Sequence, residues 1–120
     1  MKRILIVDDQ SEIRDLITMT LEDEPFELRE AGDGATALQI AESFKPDMVL
    51  LDVMMPGFSG IQVCEQLRSK SGSSKSPVIL MLSALADVTS RDAGLQAGAT
   101  DYLCKPFSPS ELRHAVHRLL

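Results

Sequence analysis

Short apolar runs alternate with longer amphipathic stretches along the whole chain of 120 residues. The apolar runs have the length of strands, and the stretches between them repeat apolar positions at helical spacing, as Ile13, Leu16, Ile17 and Leu21 do. This alternation predicts repeated βα units and a parallel sheet. The predicted strands are residues 3–7, 26–31, 47–51, 77–82 and 100–104, and the predicted helices are residues 10–23, 34–44, 60–69, 87–97 and 109–119.

Capping residues and helix breakers mark the ends of several predicted helices. Pro25 is expected to end the first helix, and Lys45-Pro46 to close the second. Residues 71–74, Ser-Gly-Ser-Ser, are expected to form a flexible surface loop. The predicted N-caps are Asp33 for the second helix, Ser59 paired with Gln62 for the third, and Ser108 paired with Glu111 for the fifth.

The strands differ in how completely apolar they are, and this difference predicts their order. Residues 4–7, 48–51 and 78–82 are continuously apolar, so helices should cover both of their faces. Residues 26–31 alternate and residues 100–104 are short and mixed, which suits the two edges of a sheet. The order 2-1-3-4-5 meets these requirements. With right-handed crossovers it is the doubly wound, five-stranded, flavodoxin-like (βα)5 arrangement of the α/β class, and residues 1–120 form one domain.

Composition and charge restrict the classes of function. The net charge of −6 and the lack of a basic stripe argue against direct binding of nucleic acid. No apolar run approaches the roughly 18 residues that span a bilayer, and the apolar stretch after Lys2-Arg3 is too short for a signal peptide. We therefore expect a cytoplasmic protein without membrane contact, in which Cys64 and Cys104 are free thiols.

Polar side chains stand at the carboxyl end of four predicted strands. Asp8 and Asp9 follow the first, Asp52 the third, Ser83 the fourth and Lys105 the fifth. Each of these signals alone is more often a turn or a solvated loop, but all of them fall at the edge where open parallel sheets bind ligands. Since the order makes the first and third strands neighbours, the carboxylates should meet.

Such a group of carboxylates has a defined chemistry. Two unit charges about 4 Å apart repel by roughly 4 kcal/mol at an effective dielectric near 20, so the group needs a cation or raised pKa values. Oxygen ligands favour Mg²⁺ over zinc, with Asp9 and Asp52 as direct ligands and Asp8 acting through a water. A strand-end carboxylate can attack an activated phosphoryl group, while Lys105 and Ser83 contact the phosphoryl oxygens.

Four motifs resemble those of the receiver domain of bacterial response regulators, and the likeness covers essentially the whole chain. The motifs are Ile6-Val7-Asp8-Asp9, Leu50-Leu51-Asp52-Val53-Met54-Met55-Pro56-Gly57, Leu82-Ser83-Ala84 and Gly98-Ala99-Thr100-Asp101-Tyr102-Leu103-Cys104-Lys105-Pro106-Phe107. The resemblance implies two-component phosphorelay signalling, with Asp52 as the phosphoacceptor and a histidine kinase or histidine phosphotransfer protein as the donor. It implies a non-enzymatic signalling domain that catalyses only its own phosphorylation and dephosphorylation.

The resemblance also assigns roles to individual positions. It implies a Mg²⁺ site, with Mn²⁺ able to substitute, and phosphoryl contacts, a switch and a cis peptide bond. The metal ligands would be Asp8, Asp9, Asp52 and the backbone carbonyl of Met54. The phosphoryl ligands would be Ser83 and Lys105, and the switch pair would be Ser83 and Tyr102. The cis bond would be Lys105–Pro106. We further expect Met54 and Leu85, apolar residues beside the phosphoryl position, to hinder an attacking water.

The fourth helix is the expected mobile element, because it contains Gly94 and has a thin apolar pattern. The surface of the fourth helix, fifth strand and fifth helix would then repack for an output partner or a second copy of the chain. His114 and His117 on the fifth helix are expected to be a solvated face. Since Met1 directly precedes the first strand, we expect an N-terminal or stand-alone receiver.

Three alternatives stay open on sequence alone. A Mg²⁺-dependent phosphohydrolase would use the same aspartyl phosphate, but such enzymes usually carry a second acid where this chain has Met54. A flavin carrier on the same fold would favour small and hydroxyl residues in the loop that here holds Asp8 and Asp9. A pseudo-receiver that only binds partners would not need the full set of acids, hydroxyl and lysine.

Overall fold

Strands and helices alternate along the chain in the computed structural model, which describes residues 1–71, 76–84 and 88–120. The elements are β1 (Lys2–Val7), α1 (Ser11–Leu21), β2 (Phe26–Ala31), α2 (Gly34–Phe44), β3 (Met48–Asp52), α3 (Gly60–Ser71), β4 (Val78–Ala84), α4 (Val88–Gln96), β5 (Asp101–Lys105) and α5 (Pro109–Leu119). All pairings are parallel and the order is β2-β1-β3-β4-β5, which confirms the predicted topology. Leu85 and residues 72–74 of the predicted loop lie outside the described residues.

The predicted capping groups form the hydrogen bonds expected of them. The side chain of Asp33 accepts from the backbone N–H of Thr36 at 2.8 Å, and Lys45 ends α2 in the left-handed region at a φ of 52°. Reciprocal bonds open α3 and α5. They join Ser59 to Gln62 at 2.9 and 3.3 Å, and Ser108 to Glu111 at 3.0 and 3.1 Å. The N-termini of α2, α3 and α5 are therefore fixed at the residues that the sequence predicted.

The end of the first helix was predicted wrongly. α1 stops at Leu21, with Glu22 as its C-cap, so Pro25 follows the helix end and does not cause it. Residues 22–24 are Glu-Asp-Glu. Negative charge is unfavourable at the negative end of the helix dipole, and this gives a physical reason for the earlier stop.

Three strands also reach further than their apolar runs. Asp52 is the last residue of β3, Ser83 lies inside β4, and Lys105 is the last residue of β5. Ladder pairs continue to these residues, with Asp52 opposite Leu82 and Ala84 opposite Lys105. The polar groups are consequently held by the sheet itself.

Two apolar clusters cover the two faces of the sheet. Alternate residues of the central strands, such as Leu5 and Val7 against Ile4 and Ile6, belong to different clusters and are fully buried. One cluster continues into α2 and α3, and the other into α1 and α5. This confirms that the three apolar strands are covered on both faces, as continuously apolar parallel strands require.

Among the described residues, no helix has the length and apolar character needed to cross a membrane. Cys64 is buried in the cluster beside α3, Cys104 is half-buried on β5, and both are free thiols, as expected. His114 and His117 are exposed on α5.

Gly60, the first residue of α3, lies against the backbone at the end of β3. A Cβ atom there would stand 2.1 Å from the carbonyl oxygen of Asp52, a distance that only movement of backbone can relieve. We expect Gly60→Ala to lower the free energy of unfolding by about 3 kcal/mol, the upper range for overpacking. Urea denaturation measures this value.

Gly94→Ala is the matched control for that substitution. Its added Cβ would meet the terminal methyl of Met81 at 3.2 Å, and this flexible group can move. Alanine is also favoured over glycine inside a helix by about 1 kcal/mol. The control should keep or gain stability, and an equal loss in both variants would contradict the close contact at Gly60 as the cause.

Candidate functional site

The polar residues singled out by the sequence converge at the carboxyl edge of the sheet. Asp8 and Asp9 directly follow β1, and β1 pairs with β3, which ends at Asp52. One carboxylate oxygen from each of these three residues lies within 4.8 Å of the other two. The strand order therefore brings together acids that are more than forty positions apart in the chain.

Lys105 supplies the positive charge within this group. Its Nζ donates to Oδ2 of Asp8 at 2.9 Å and lies 3.1 Å from Oδ1 of Asp52. Burial by itself lowers the pKa of Lys105, but the hydrogen bond to Asp8 and the charge of Asp52 act in the other direction and raise it overall. The ammonium group thus stays charged between the two acids.

Burial separates the acids into an inner pair and an outer residue. Asp8 is 0% exposed and Asp52 is 4% exposed, whereas Asp9 is exposed at the rim. Both carboxylate oxygens of Asp8 are occupied, since Oδ1 accepts from the backbone N–H of Gln10 at 2.9 Å and Oδ2 from Lys105. Asp8 is accordingly the most fixed of the three acids and Asp9 the most accessible.

This arrangement destabilises the ionised form of Asp52. Burial, followed by the neighbouring charge of Asp8, raises its pKa to about 6, although Lys105 acts to lower it. The backbone N–H of Met54 donates to its Oδ1 at a long 3.4 Å. Asp52 therefore carries a carboxylate that an additional cation would stabilise.

A pocket of about 270 Å³ opens from Asp52 to solvent. It is large enough for a phosphoryl group with an ion and several waters. Its lining residues are Asp9, Gln10, Asp52, Met54, Ala84 and Lys105. The side chain of Met54 is 66% exposed at this opening.

Ser83 is placed inside the sheet with an unused hydroxyl. The residue is 2% exposed, and its Oγ has no hydrogen-bond partner within the described part of the chain. An unpaired buried hydroxyl costs free energy, so a partner from outside the protein would stabilise this position. Ser83 lies opposite Cys104 in the register, next to the pair formed by Ala84 and Lys105.

Tyr102 and Pro106, the other two residues with sequence-predicted roles, are not among the lining residues of the pocket. Tyr102 sits on β5 opposite Met81, and the Lys105–Pro106 peptide bond is cis, the configuration that the resemblance implies. Sequence reasoning missed Gln10 and Ala84, which line the pocket. Their position directly after Asp9 and Ser83 is the signal that could have identified them.

The donor set fits a hard divalent cation. Three carboxylates converge, one of them is exposed and one has a raised pKa, and no thiol or imidazole from the described part of the chain belongs to the cluster. Carboxylates with room for water are the ligands that Mg²⁺ prefers. The buried hydroxyl of Ser83 and the ammonium of Lys105 suit the oxygens of a phosphoryl group.

The raised pKa of Asp52 predicts a pH dependence of stability in metal-free buffer. Since its folded pKa of about 6 lies above the ordinary 3.8, folding holds the proton more tightly. The free energy of unfolding should therefore fall as the pH rises from about 4 to about 6. Asp52→Asn removes this loss, so the variant should be about 3 kcal/mol more stable at pH 7 and gain nothing below pH 4. Urea denaturation across this pH range measures the difference.

Asp33→Asn controls for the loss of one negative charge. Hydrogen bonds from the backbone and side chain of Thr36 lower the pKa of Asp33, so its ionised form favours folding above the ordinary pKa. This variant should not be stabilised at pH 7. Equal stabilisation of both variants would point to the overall net charge of −6 and not to the site.

Known proteins show the same sequence pattern and the same fold. The family model described as "Response regulator receiver domain" matches residues 4–117. The DNA-binding response regulator MtrA of Mycobacterium tuberculosis H37Rv is 44% identical over 111 residues, covering 92% of this chain and 47% of that protein. The alkaline phosphatase synthesis transcriptional regulatory protein PhoP of Bacillus subtilis is 43% identical over 119 residues, covering 99% of this chain and 48% of that protein.

Solved structures agree with these sequence matches. Chemotaxis protein CheY4 of Vibrio cholerae superposes with a TM-score of 0.91 at 34% identity, covering 100% of this chain and 99% of that one. The receiver domain of NtrX from Brucella abortus gives 0.88 at 29% identity, covering 98% and 97%. The chain spans about half the length of the curated relatives it matches. On sequence and fold together, it belongs to the family of response regulator receiver domains of two-component systems.

Proposed function

We propose that Asp52 accepts a phosphoryl group from a histidine kinase or a histidine phosphotransfer protein. The surroundings of Asp52 are the main support for this proposal. Its carboxylate lies at an open pocket, 3.1 Å from the ammonium of Lys105. Nearby, Ser83 holds a buried hydroxyl without a partner among the described residues. A nucleophile, a cation and a spare donor are the groups that phosphoryl transfer requires.

The transfer is a displacement at phosphorus. A carboxylate oxygen of Asp52 forms the new P–O bond while the P–N bond of the donor phosphohistidine breaks. The imidazole nitrogen keeps the electron pair of that bond and takes up a proton. Lys105 neutralises charge on one phosphoryl oxygen and the hydroxyl of Ser83 donates to another, so both stabilise the transition state. Hydrolysis of the aspartyl phosphate later restores Asp52.

The same pocket supports a requirement for Mg²⁺, for which Mn²⁺ would substitute. We assign its ligands to Asp8, Asp9, Asp52 and the backbone carbonyl of Met54. When bound, the ion would supply positive charge for the transfer and would offset the burial and the charge of Asp8 that raise the pKa of Asp52. Asp9 is the exposed ligand, so its removal disturbs the packing least.

Phosphorylation would act as a switch. Ser83 and Tyr102 move together in this proposal, and the surface of α4, β5 and α5 then binds an output partner or a second copy of the chain. The relatives named as transcriptional regulators suggest an output in gene control through other parts of such proteins. This domain, with its net charge of −6, is proposed to act in the cytoplasm through protein contacts and not on nucleic acid.

A phosphoryl adduct on Asp52 is the direct test of this function. Incubation with acetyl phosphate and Mg²⁺ should add one phosphoryl group to the wild-type mass, and neither the metal-free sample nor Asp52→Asn should gain it. Asp15→Asn, which removes an exposed acid of α1, should react like the wild type. If the wild type gains no adduct from acetyl phosphate or a kinase despite bound Mg²⁺, the domain is a binding-only pseudo-receiver.

Mg²⁺ should also stabilise the folded domain, because it binds the assembled carboxylates and not the dispersed ones. At a concentration one hundred times its Kd, an ion adds about 2.7 kcal/mol to the free energy of unfolding. Asp9→Asn should lose most of this increment while keeping the stability of the metal-free wild type, as measured by urea denaturation with and without Mg²⁺. Asp15→Asn should keep the increment, and its loss there as well would indicate general screening of negative charge.

A further inference from the structure

Arg91 makes two contacts with the same tyrosine. Its guanidinium donates to the hydroxyl of Tyr102 at 2.8 Å, and its Cζ lies 4.5 Å from the centre of the Tyr102 ring. Both residues are half-buried. A hydrogen bond and a cation–π contact to one ring fix its position as well as its hydroxyl.

This contact joins the N-terminal half of α4 to β5. Among the described side chains of α4, Arg91 is the one with a polar bond to the sheet. The chain just beyond the C-terminal end of α4 is held separately, by Arg68 of α3, which donates to the carbonyl oxygens of Gly98 and Pro77 at 2.7 Å each. The chain is thus fixed by Arg68 behind the last turn of α4, and α4 itself is fixed near its start by the contact of Arg91 with Tyr102, called the clasp below.

The clasped tyrosine lies next to the strand that carries Ser83. Tyr102 pairs with Met81 and Cys104 pairs with Ser83, so the alternation of side chains places Ser83 and Tyr102 on one face of the sheet. Tyr102 also packs against the cluster that contains Met81. A displacement of Ser83 on β4 can therefore affect Tyr102 on the neighbouring strand β5. A movement of Tyr102 would in turn alter the contacts between Tyr102 and Arg91.

We infer that Arg91 is a positioning residue that holds Tyr102 in the unphosphorylated state, so that this clasp sets the equilibrium between the two states of the domain. The inference rests on the proposed function, because it concerns how phosphorylation of Asp52 is transmitted. A contact present in one state and lost in the other shifts the equilibrium by its own free energy. Weakening the clasp then favours the phosphoryl-bound state before any phosphoryl group arrives.

The test is the affinity for beryllofluoride, an analogue of the phosphoryl group, in the presence of Mg²⁺. Arg91→Ala should bind it about tenfold more tightly than the wild type, the combined effect expected of one hydrogen bond and one half-buried cation–π contact. Tyr102→Phe keeps the ring and loses the hydroxyl, so its affinity should lie between the two. Adding Arg91→Ala to Tyr102→Phe should give less than the sum of the separate changes.

Tyrosine emission provides a second readout, because Tyr102 is the single tyrosine of the chain and there is no tryptophan. The tyrosine emission of ligand-free Arg91→Ala should shift part of the way towards the value that the wild type reaches with beryllofluoride, because the population shifts by the same factor as the affinity. Arg29→Ala is the matched control, since Arg29 of β2 also lies over an aromatic ring, 5.1 Å from the centre of Phe44, at the opposite edge of the sheet. It should change neither affinity nor emission. Arg91→Lys keeps the charge on α4 and should show an intermediate affinity if Arg91→Ala does not fold.

The outcomes separate this inference from the proposed function. Unchanged or weaker binding by both Arg91 variants, with normal binding by the wild type, overturns the clasp and leaves the phosphoacceptor role intact. Equal tightening in Arg29→Ala also overturns it, because loss of charge alone would then explain the effect. A wild type that neither binds beryllofluoride nor forms a phosphoryl adduct overturns both.

Discussion

The ammonium group of Lys105 between Asp8 and Asp52 is the interaction on which the arrangement of this domain depends. Two almost fully buried carboxylates at the ends of neighbouring strands would repel each other strongly in a medium of low dielectric. Lys105 lies within 3.1 Å of both and is held there as the last residue of an edge strand. The compensation is incomplete, since the pKa of Asp52 remains raised to about 6. A further cation at this site would lower this residual cost.

The fold places these charges through features that are individually ordinary. The order β2-β1-β3-β4-β5 puts the ends of β1 and β3 side by side, and the ladder from β4 to β5 continues as far as Lys105. Gly60 lets α3 begin directly against the backbone of Asp52. A site of this kind requires the sheet to be correct to within one residue, because a shift of one position turns each side chain to the other face.

Most of the framework was readable from the sequence because it depends on local signals. Apolar runs predicted the strands, and the capping pairs predicted the starts of α3 and α5. The contrast between residues 26–31 and the continuously apolar runs predicted that β2 is an edge strand. The meeting of Asp8, Asp9 and Asp52 followed from the strand order. Their assigned roles in phosphoryl transfer remain predictions.

Other features could not be predicted, since they depend on contacts between distant positions. The bond from Lys105 to Asp8 joins residues 97 positions apart, and no local pattern reveals which acid the lysine meets. The contact of Arg91 with Tyr102 depends on where α4 packs against β5. The early end of α1 has a different origin, because the acidic residues 22–24 oppose the helix dipole before Pro25 is reached.

The two apolar clusters pack different helices against the two faces of the sheet. On one face, α1 and α5 share a cluster, and Arg113 of α5 donates to the carbonyl oxygen of Thr20 in α1 at 3.2 Å. His117 of α5 also lies 2.6 Å from Glu24, in the segment that follows α1. On the other face lie Met81, Tyr102 and the short helix α4. The sheet therefore separates the contacts of Tyr102 from those of α1. A rearrangement near Tyr102 can be completed without disturbing the packing of α1, so the domain can change its contacts at α4 and β5 while the surface of α1 stays unaltered.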